Sequence, residues 1–257
     1  MNSLHVAVVA WALLSGAVVV AESPRPNSRI SPLCVILIGG IDSDPTPEQI
    51  EGTALRGQGQ SGMYQLAGDL SRRGIAAEYF NWNGTRAGKI KEKPPLAIGI
   101  ATFIADRRRE YPSEQLAIVA NSWGGHTAWE VSKTLAKSEI PIEMTVFLDP
   151  SSLGRSRTTR PATLPSSIKS ARNYYTRNVF GWREWPHEVR LVNIDLGDEK
   201  SGFLIPGGPK YNAALDPQAH IAAEWDPRIH QEITKYLVEL FDSPTETLAG
   251  REATSPK

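Results

Sequence analysis

The feature that most narrows what this chain can become is an alternation. Short apolar runs that end in glycine or a polar residue take turns with longer stretches of helical periodicity. "LCVILIGGI" (33–41) is a continuous apolar run closed by glycines, as expected of a strand buried on both faces. "IAAEYFNWNG", "QLAIVANS", "IEMTVFLDP" and "EVRLVNIDLGD" read as further strands. Between them stand helical segments. "GMYQLAGDLSRRG" has Met63, Leu66 and Leu70 on one face and Gly74 as a stop. "PLAIGIATFIADRRREY" ends in a basic turn, which suits a helix C-terminus. "GGHTAWEVSKTLAKS" and "DPRIHQEITKYLVELF" follow, the latter with Asp226 placed to cap it. Such an order predicts an α/β domain over residues 33–241, a mostly parallel sheet flanked by helices on both faces. Residues 42–61, 151–186 and 197–219 read as long connections, the middle one Pro-interrupted with one short helix, and 242–257 as a disordered polar tail.

Charge removes some functions. Lys+Arg and Asp+Glu both number 28, so nothing in the balance suggests a nucleic-acid partner. The single cysteine, Cys34, excludes an internal disulfide and a Cys-rich metal site, and its place in an apolar run predicts a buried thiol. A phosphate-binding Gly-x-Gly-x-x-Gly does not follow the first strand, nor is there a Lys-Ser/Thr phosphate loop, which disfavours a nucleotide binder. The match Asn83-Gly84-Thr85 to a glycosylation sequon is short enough to arise by chance and carries no weight.

The beginning of the chain has a different character. An apolar stretch from Val6 to Ala21 precedes Glu22, Ser23 and Pro24, with small residues at Val19 and Ala21 where a signal peptidase reads. The stretch is short for a membrane span, which needs about 20 apolar residues. Residues 1–21 are expected to be a signal peptide cleaved after Ala21, although no Lys or Arg precedes the run, and 22–32 a linker. A secreted or periplasmic location follows, with membrane contact only through this segment if it stays uncleaved.

The chemistry concentrates at "VANSWGGHTAW" (119–129). Ser122 follows a strand and opens a helix, where active sites of open parallel sheets gather. Small residues two before and two after, Ala120 and Gly124, permit a sharp turn, Gly125 allows close strand–helix packing, and the helix N-terminus favours a developing negative charge. A serine needs a base. His5 lies in the N-terminal segment, His126 points away along the helix, and His187 precedes a strand at the wrong end of the sheet. His220 closes the loop before the final helix, whereas His230 lies within it beside Ile229 and Ile233. Asp149, in "FLDPS", ends the strand after the serine's helix; Asp195 and Asp198 end the next predicted one.

The elbow "ANSWGG" and the run "AHIAAEWDPRIHQEI", in the order serine, acid, histidine, resemble the α/β-hydrolase superfamily, lipase-like serine hydrolases in particular. The resemblance spans roughly residues 33 to 240; Ala120 departs from the usual glycine. It implies the α/β-hydrolase fold and ester hydrolysis with Ser122 as nucleophile and His220 as base. "FLDPS" is similar to the Leu-Asp-Pro of pancreatic-type lipases and favours Asp149 as the acid, with Asp195 or Asp198 as alternatives. The oxyanion hole would combine the Trp123 N–H with one from Gly40 or Ile41. A small-molecule or lipid ester is the implied partner, with no metal and no organic cofactor. Amide or thioester cleavage shares the same site, and a non-catalytic binding protein of the same fold remains open. The aromatic residues of "YFNWNG" and "NYYTRNVFGWREW" are candidates for a substrate-binding wall, or for local packing.

Overall fold

Leu33, Val35 and Leu37 point to one side of the first strand, Cys34, Ile36 and Ile38 to the other, and all six are buried. That double burial organises the molecule. The computed structural model describes residues 32–41, 45–46, 48, 61–82, 96–152, 161–186 and 188–242. The N-terminal apolar segment with His5, most of the 42–61 connection, the Asn83–Thr85 match, His187 and the stretch after 242 lie outside them.

In chain order the elements are β1 (Leu33–Ile38), α1 (Gly62–Arg72), β2 (Ala76–Phe80), α2 (Leu96–Glu110), β3 (Gln115–Asn121), α3 (Trp123–Lys137), β4 (Met144–Leu148), β5 (Ala171–Tyr175), β6 (Leu191–Asp195), α4 (Pro217–Trp225) and α5 (Pro227–Asp242). The described strands form one sheet in the order β2-β1-β3-β4-β5-β6, every neighbouring pair parallel. Leu66 and Leu70 of α1 and Ile229, Ile233 and Leu237 of α5 pack with the Leu33 side of the sheet. Ile100 and Ile104 of α2 and Ala128, Val131 and Leu135 of α3 pack with the Cys34 side. Spacings of three and four residues place each helix's apolar stripe on the sheet. The expected α/β class, with helices on both faces, is what the chain adopts.

Local signals end the helices where they should. Ser61 Oγ accepts the Tyr64 N–H at the start of α1, and Gly74, at φ 80°, turns the chain toward β2. Asp226 Oδ1 accepts the Arg228 N–H to cap α5. Cys34 is buried, and desolvation pushes its thiol up to about 12, opposed in part by Arg107. Among the described residues no helix is long and apolar enough to cross a membrane.

Two expectations need correction. The connection 151–186 holds a strand, β5, not only loop and helix, so the strand next to β4 in the sheet is not the one ending in Asp195. Arg172 and Asn173 broke the apolar pattern there. Asn173 is buried because its amide donates to Asn193 Oδ1 on β6 at 3.0 Å and to the Arg183 carbonyl at 3.2 Å. The second correction concerns His220, which sits inside a separate nine-residue helix, α4, rather than closing a loop. The aromatic stretch after β5 likewise divides: Tyr174, Trp182 and Trp185 are core residues, with Trp182 and Trp185 edge-to-face at 5.4 Å.

Leu37 lies on the strand that β2 and β3 flank, and none of it is exposed. Leu37→Ala is expected to lower the unfolding free energy by about 2–5 kcal/mol, read from chemical denaturation.

Candidate active site

Strand register builds the site. β3 and β4 are paired so that Asn121 lies opposite Leu148, which sets the next residues, Ser122 and Asp149, side by side at the C-terminal edge of the sheet. Both turn away from the strands with positive φ, 51° at Ser122 and 42° at Asp149. The Ser122 N–H donates to the Leu148 carbonyl at 3.1 Å, and its own carbonyl accepts from Gly125 and Ser151, each at 2.9 Å. No side-chain cap is made by Ser122, so its hydroxyl is available beyond the turn.

Glycine is required here by space. A Cβ at Gly124 would lie 2.4 Å from the Ile38 carbonyl oxygen, and one at Gly125 would lie 2.4 Å from Pro150 Cβ. A Cβ at Gly40 would stand 2.8 Å from Ser122 Cβ, so the end of β1 presses against the serine. Ile41 follows, partly exposed. Trp123 and Gly124 open α3, where N–H groups have no acceptor within the helix.

His220 completes a continuous chain. Its Nε2 lies 2.8 Å from Ser122 Oγ and its Nδ1 lies 2.6 Å from Asp149 Oδ2. An ionised carboxylate only accepts, so the ring proton belongs on Nδ1 and Nε2 accepts from the serine hydroxyl. Asp149 is fully buried, and the Thr176 N–H and hydroxyl donate to its two oxygens at 2.9 and 3.0 Å. Asn178 bridges this cradle to α4: its N–H donates to Thr176 Oγ1 at 3.2 Å and its amide donates to the carbonyl of Asp216, the N-cap of α4.

The other candidates are elsewhere. Asp195 pairs with Arg177 at 2.9 Å, and Asp198 caps a short 3-10 turn through the Lys200 N–H. His230 is buried and donates from Nε2 to the Glu224 carbonyl at 2.7 Å. His126 packs between the rings of Trp129 and Trp182, and burial lowers its proton affinity. Among the described residues no group of three or more His, Cys, Asp or Glu side chains is arranged to hold a metal ion.

Thr176, Asn178 and Gly181 carry no signal in the sequence, yet Thr176 and Gly181 adjoin the Asp149 carboxylate and Asn178 braces Thr176. A Cβ at Gly181 would meet Asp149 Oδ1 at 2.6 Å. Trp82, at the end of β2, stands edge-to-face with Trp123 at 5.1 Å; both rings are half-buried beside the serine's turn. Of the "YFNWNG" rings, Tyr79 and Phe80 are buried in the core and Trp82 packs on Trp123.

No protein-family model and no curated protein matches the sequence. Among solved structures the chain is similar to a candidate α/β hydrolase of unknown function from Agrobacterium tumefaciens, at 13% identity over 89% of this chain and 92% of that one, with a TM-score of 0.47. It is similar also to a lidless α/β serine hydrolase from Xanthomonas campestris (12% identity, 83% and 86% covered, TM-score 0.41). A cutinase-like protein from Cryptococcus sp. gives 12% identity, 83% and 97% covered, and a TM-score of 0.40. Within the chain itself, the parallel order β2-β1-β3-β4-β5-β6 and the serine turn after β3 give it an α/β-hydrolase fold.

Burial opposes protonation of His220, but the hydrogen bond it donates to Asp149, the Asp149 charge and that of Glu224 together outweigh it, so the imidazole titrates above its ordinary 6.5. A raised folded value means that protonation adds stability in full below 6.5, and this is lost as pH rises through the folded midpoint. An NMR titration is expected to place His220 above 6.5 in the wild type and lower in Asp149→Asn; an equal midpoint in both would reject Asp149 as the cause.

Proposed function

We propose that this protein is a serine hydrolase that cleaves carboxylic esters through an acyl-enzyme on Ser122. The observation that carries the reading is the unbroken Ser122–His220–Asp149 relay at 2.8 and 2.6 Å, with the serine held on a positive-φ turn at a helix N-terminus.

In this reading Ser122 Oγ attacks the acyl carbon while His220 Nε2 takes its proton, and buried Asp149 stabilises the resulting imidazolium. The carbonyl oxygen becomes an oxyanion facing the Trp123 N–H and one from Gly40 or Ile41. One such donor is worth about 10²–10³ in rate. Collapse breaks the ester bond, and the His220 proton leaves with the alcohol. Water then attacks the acyl-enzyme with His220 as base, releasing the acid and restoring the serine. The Trp82–Trp123 pair supplies an apolar wall for the acyl or alcohol group, which supports a small-molecule or lipid ester as substrate. An N-terminal segment removed after Ala21 would place this chemistry in the periplasm, at the cell envelope or outside the cell.

The test is stoichiometric labelling by a fluorophosphonate, located by peptide mass spectrometry. The adduct is expected on Ser122 alone. Ser122→Ala should abolish it and reduce ester turnover by more than about 10⁴-fold, with His220→Ala similarly impaired. A folded protein that takes no label and turns over no ester, thioester or amide would replace this reading with a binding protein of the same fold.

A further inference from the structure

Helix α4 has nine residues, too few to be held by its own hydrogen bonds. It buries only Ala219, Ala223 and Glu224. Its position must come from polar fixings at its ends. Asn178 supplies the first, at the Asp216 carbonyl. The second is Glu224, four residues after His220 and so on the same helix face.

Glu224 is a buried carboxylate. Its Oε1 accepts the N–H groups of Gly62 and Met63, at 2.9 and 3.3 Å, and the Ser61 hydroxyl at 3.4 Å. These are the opening groups of α1, where a negative charge is favoured by the helix dipole. The approach is as close as backbone permits, since a Cβ at Gly62 would lie 2.3 Å from the Glu224 carbonyl oxygen. That same oxygen takes the His230 Nε2–H.

We infer that Glu224 is a positioning residue for His220: its carboxylate pins α4 to the N-terminus of α1 and so fixes the imidazole between Asp149 and Ser122. This rests on the reading of His220 as the base. The charge acts in the same direction as the geometry. Asp149 from the end of β4 and Glu224 from α4 itself are the acidic groups that raise the proton affinity of His220, with the neutral Ser122 hydroxyl on its other side.

The experiment uses the full chain with Glu224→Gln and Glu224→Ala, each checked for folding by circular dichroism. Two readouts are taken: the fluorophosphonate labelling rate at Ser122, and the proton NMR signal of His220 Nδ1–H bonded to Asp149, with Asp149→Asn identifying that signal. Glutamine keeps the acceptor oxygen, so Glu224→Gln is expected within about threefold of wild type, whereas Glu224→Ala labels about 10- to 100-fold more slowly and loses the sharp Nδ1–H signal. Wild-type labelling and an intact signal in Glu224→Ala, with only the melting temperature lowered, would overturn the inference. Should Glu224→Ala fail to fold, Gly62→Ala displaces the same contact without removing charge. Slower labelling and a weakened signal there support the inference, and neither change overturns it. If wild type takes no label, the hydrolase reading fails, and the Nδ1–H signal alone still decides whether Glu224 holds the ring.

Discussion

At φ 51° and ψ −124° Ser122 occupies backbone space that side chains rarely enter, a strain of about 1–3 kcal/mol. The rest of the site depends on neighbours that leave the turn no alternative. Leu148 on β4 holds its N–H, Gly125 and Ser151 hold its carbonyl, and the ends of β1 crowd it from the other side through Gly40. Relaxing Ser122 toward an ordinary strand conformation would break three hydrogen bonds and lift α3 off Ile38, against which Gly124 is packed without space for a methyl group. The strain is therefore maintained by the cores on both faces of the sheet, not by the turn itself.

A buried carboxylate poses the opposite problem, since desolvation is unfavourable unless every oxygen is satisfied. Asp149 meets it with the Thr176 N–H, the Thr176 hydroxyl and the His220 ring. Its own N–H joins the Tyr174 carbonyl at 2.7 Å, so the acid extends the β4–β5 ladder by one residue before the chain turns. This makes β5 more than an extra strand. It delivers Thr176 to the acid and, two residues later, Asn178 to the start of α4.

The alternating apolar runs made the fold class, the flanking helices and the serine turn legible, because strands buried on both faces leave little else in the sequence. β5 was hidden for a physical reason: Asn173 is buried with its amide N–H groups donating to Asn193 across the ladder and to the Arg183 carbonyl, a partnership that periodicity does not display. α4 carries little helical signal of its own, because its inward face has two alanines and a glutamate, which look like a solvated acidic stretch. Ser122, His220 and Asp149 were readable as residue types in an order. Thr176, Asn178, Gly181 and Glu224 were not, since what they contribute depends on segments brought together from far along the chain.

The position of the His220 ring follows from sheet geometry. Adjacent strands lie about 4.8 Å apart, and paired register sets Ser122 and Asp149 at that spacing as the first residues beyond β3 and β4. A group between them must come from outside the sheet, because neighbouring strand ends are already used by the serine, the acid and the Gly40 turn. The segment that arrives after β6 crosses back over the C-terminal edge and lays the His220 ring against both. Such a segment contributes little core and cannot be held by apolar burial alone. Its anchoring therefore falls to charged and hydrogen-bonding groups, Asn178 and Glu224, at the two ends of one short helix. The same argument separates His220 from His230. The latter sits one helix further on, buried among the Ile229 and Ile233 stripe with its Nε2 committed to a carbonyl, where it steadies α4 without reaching the serine.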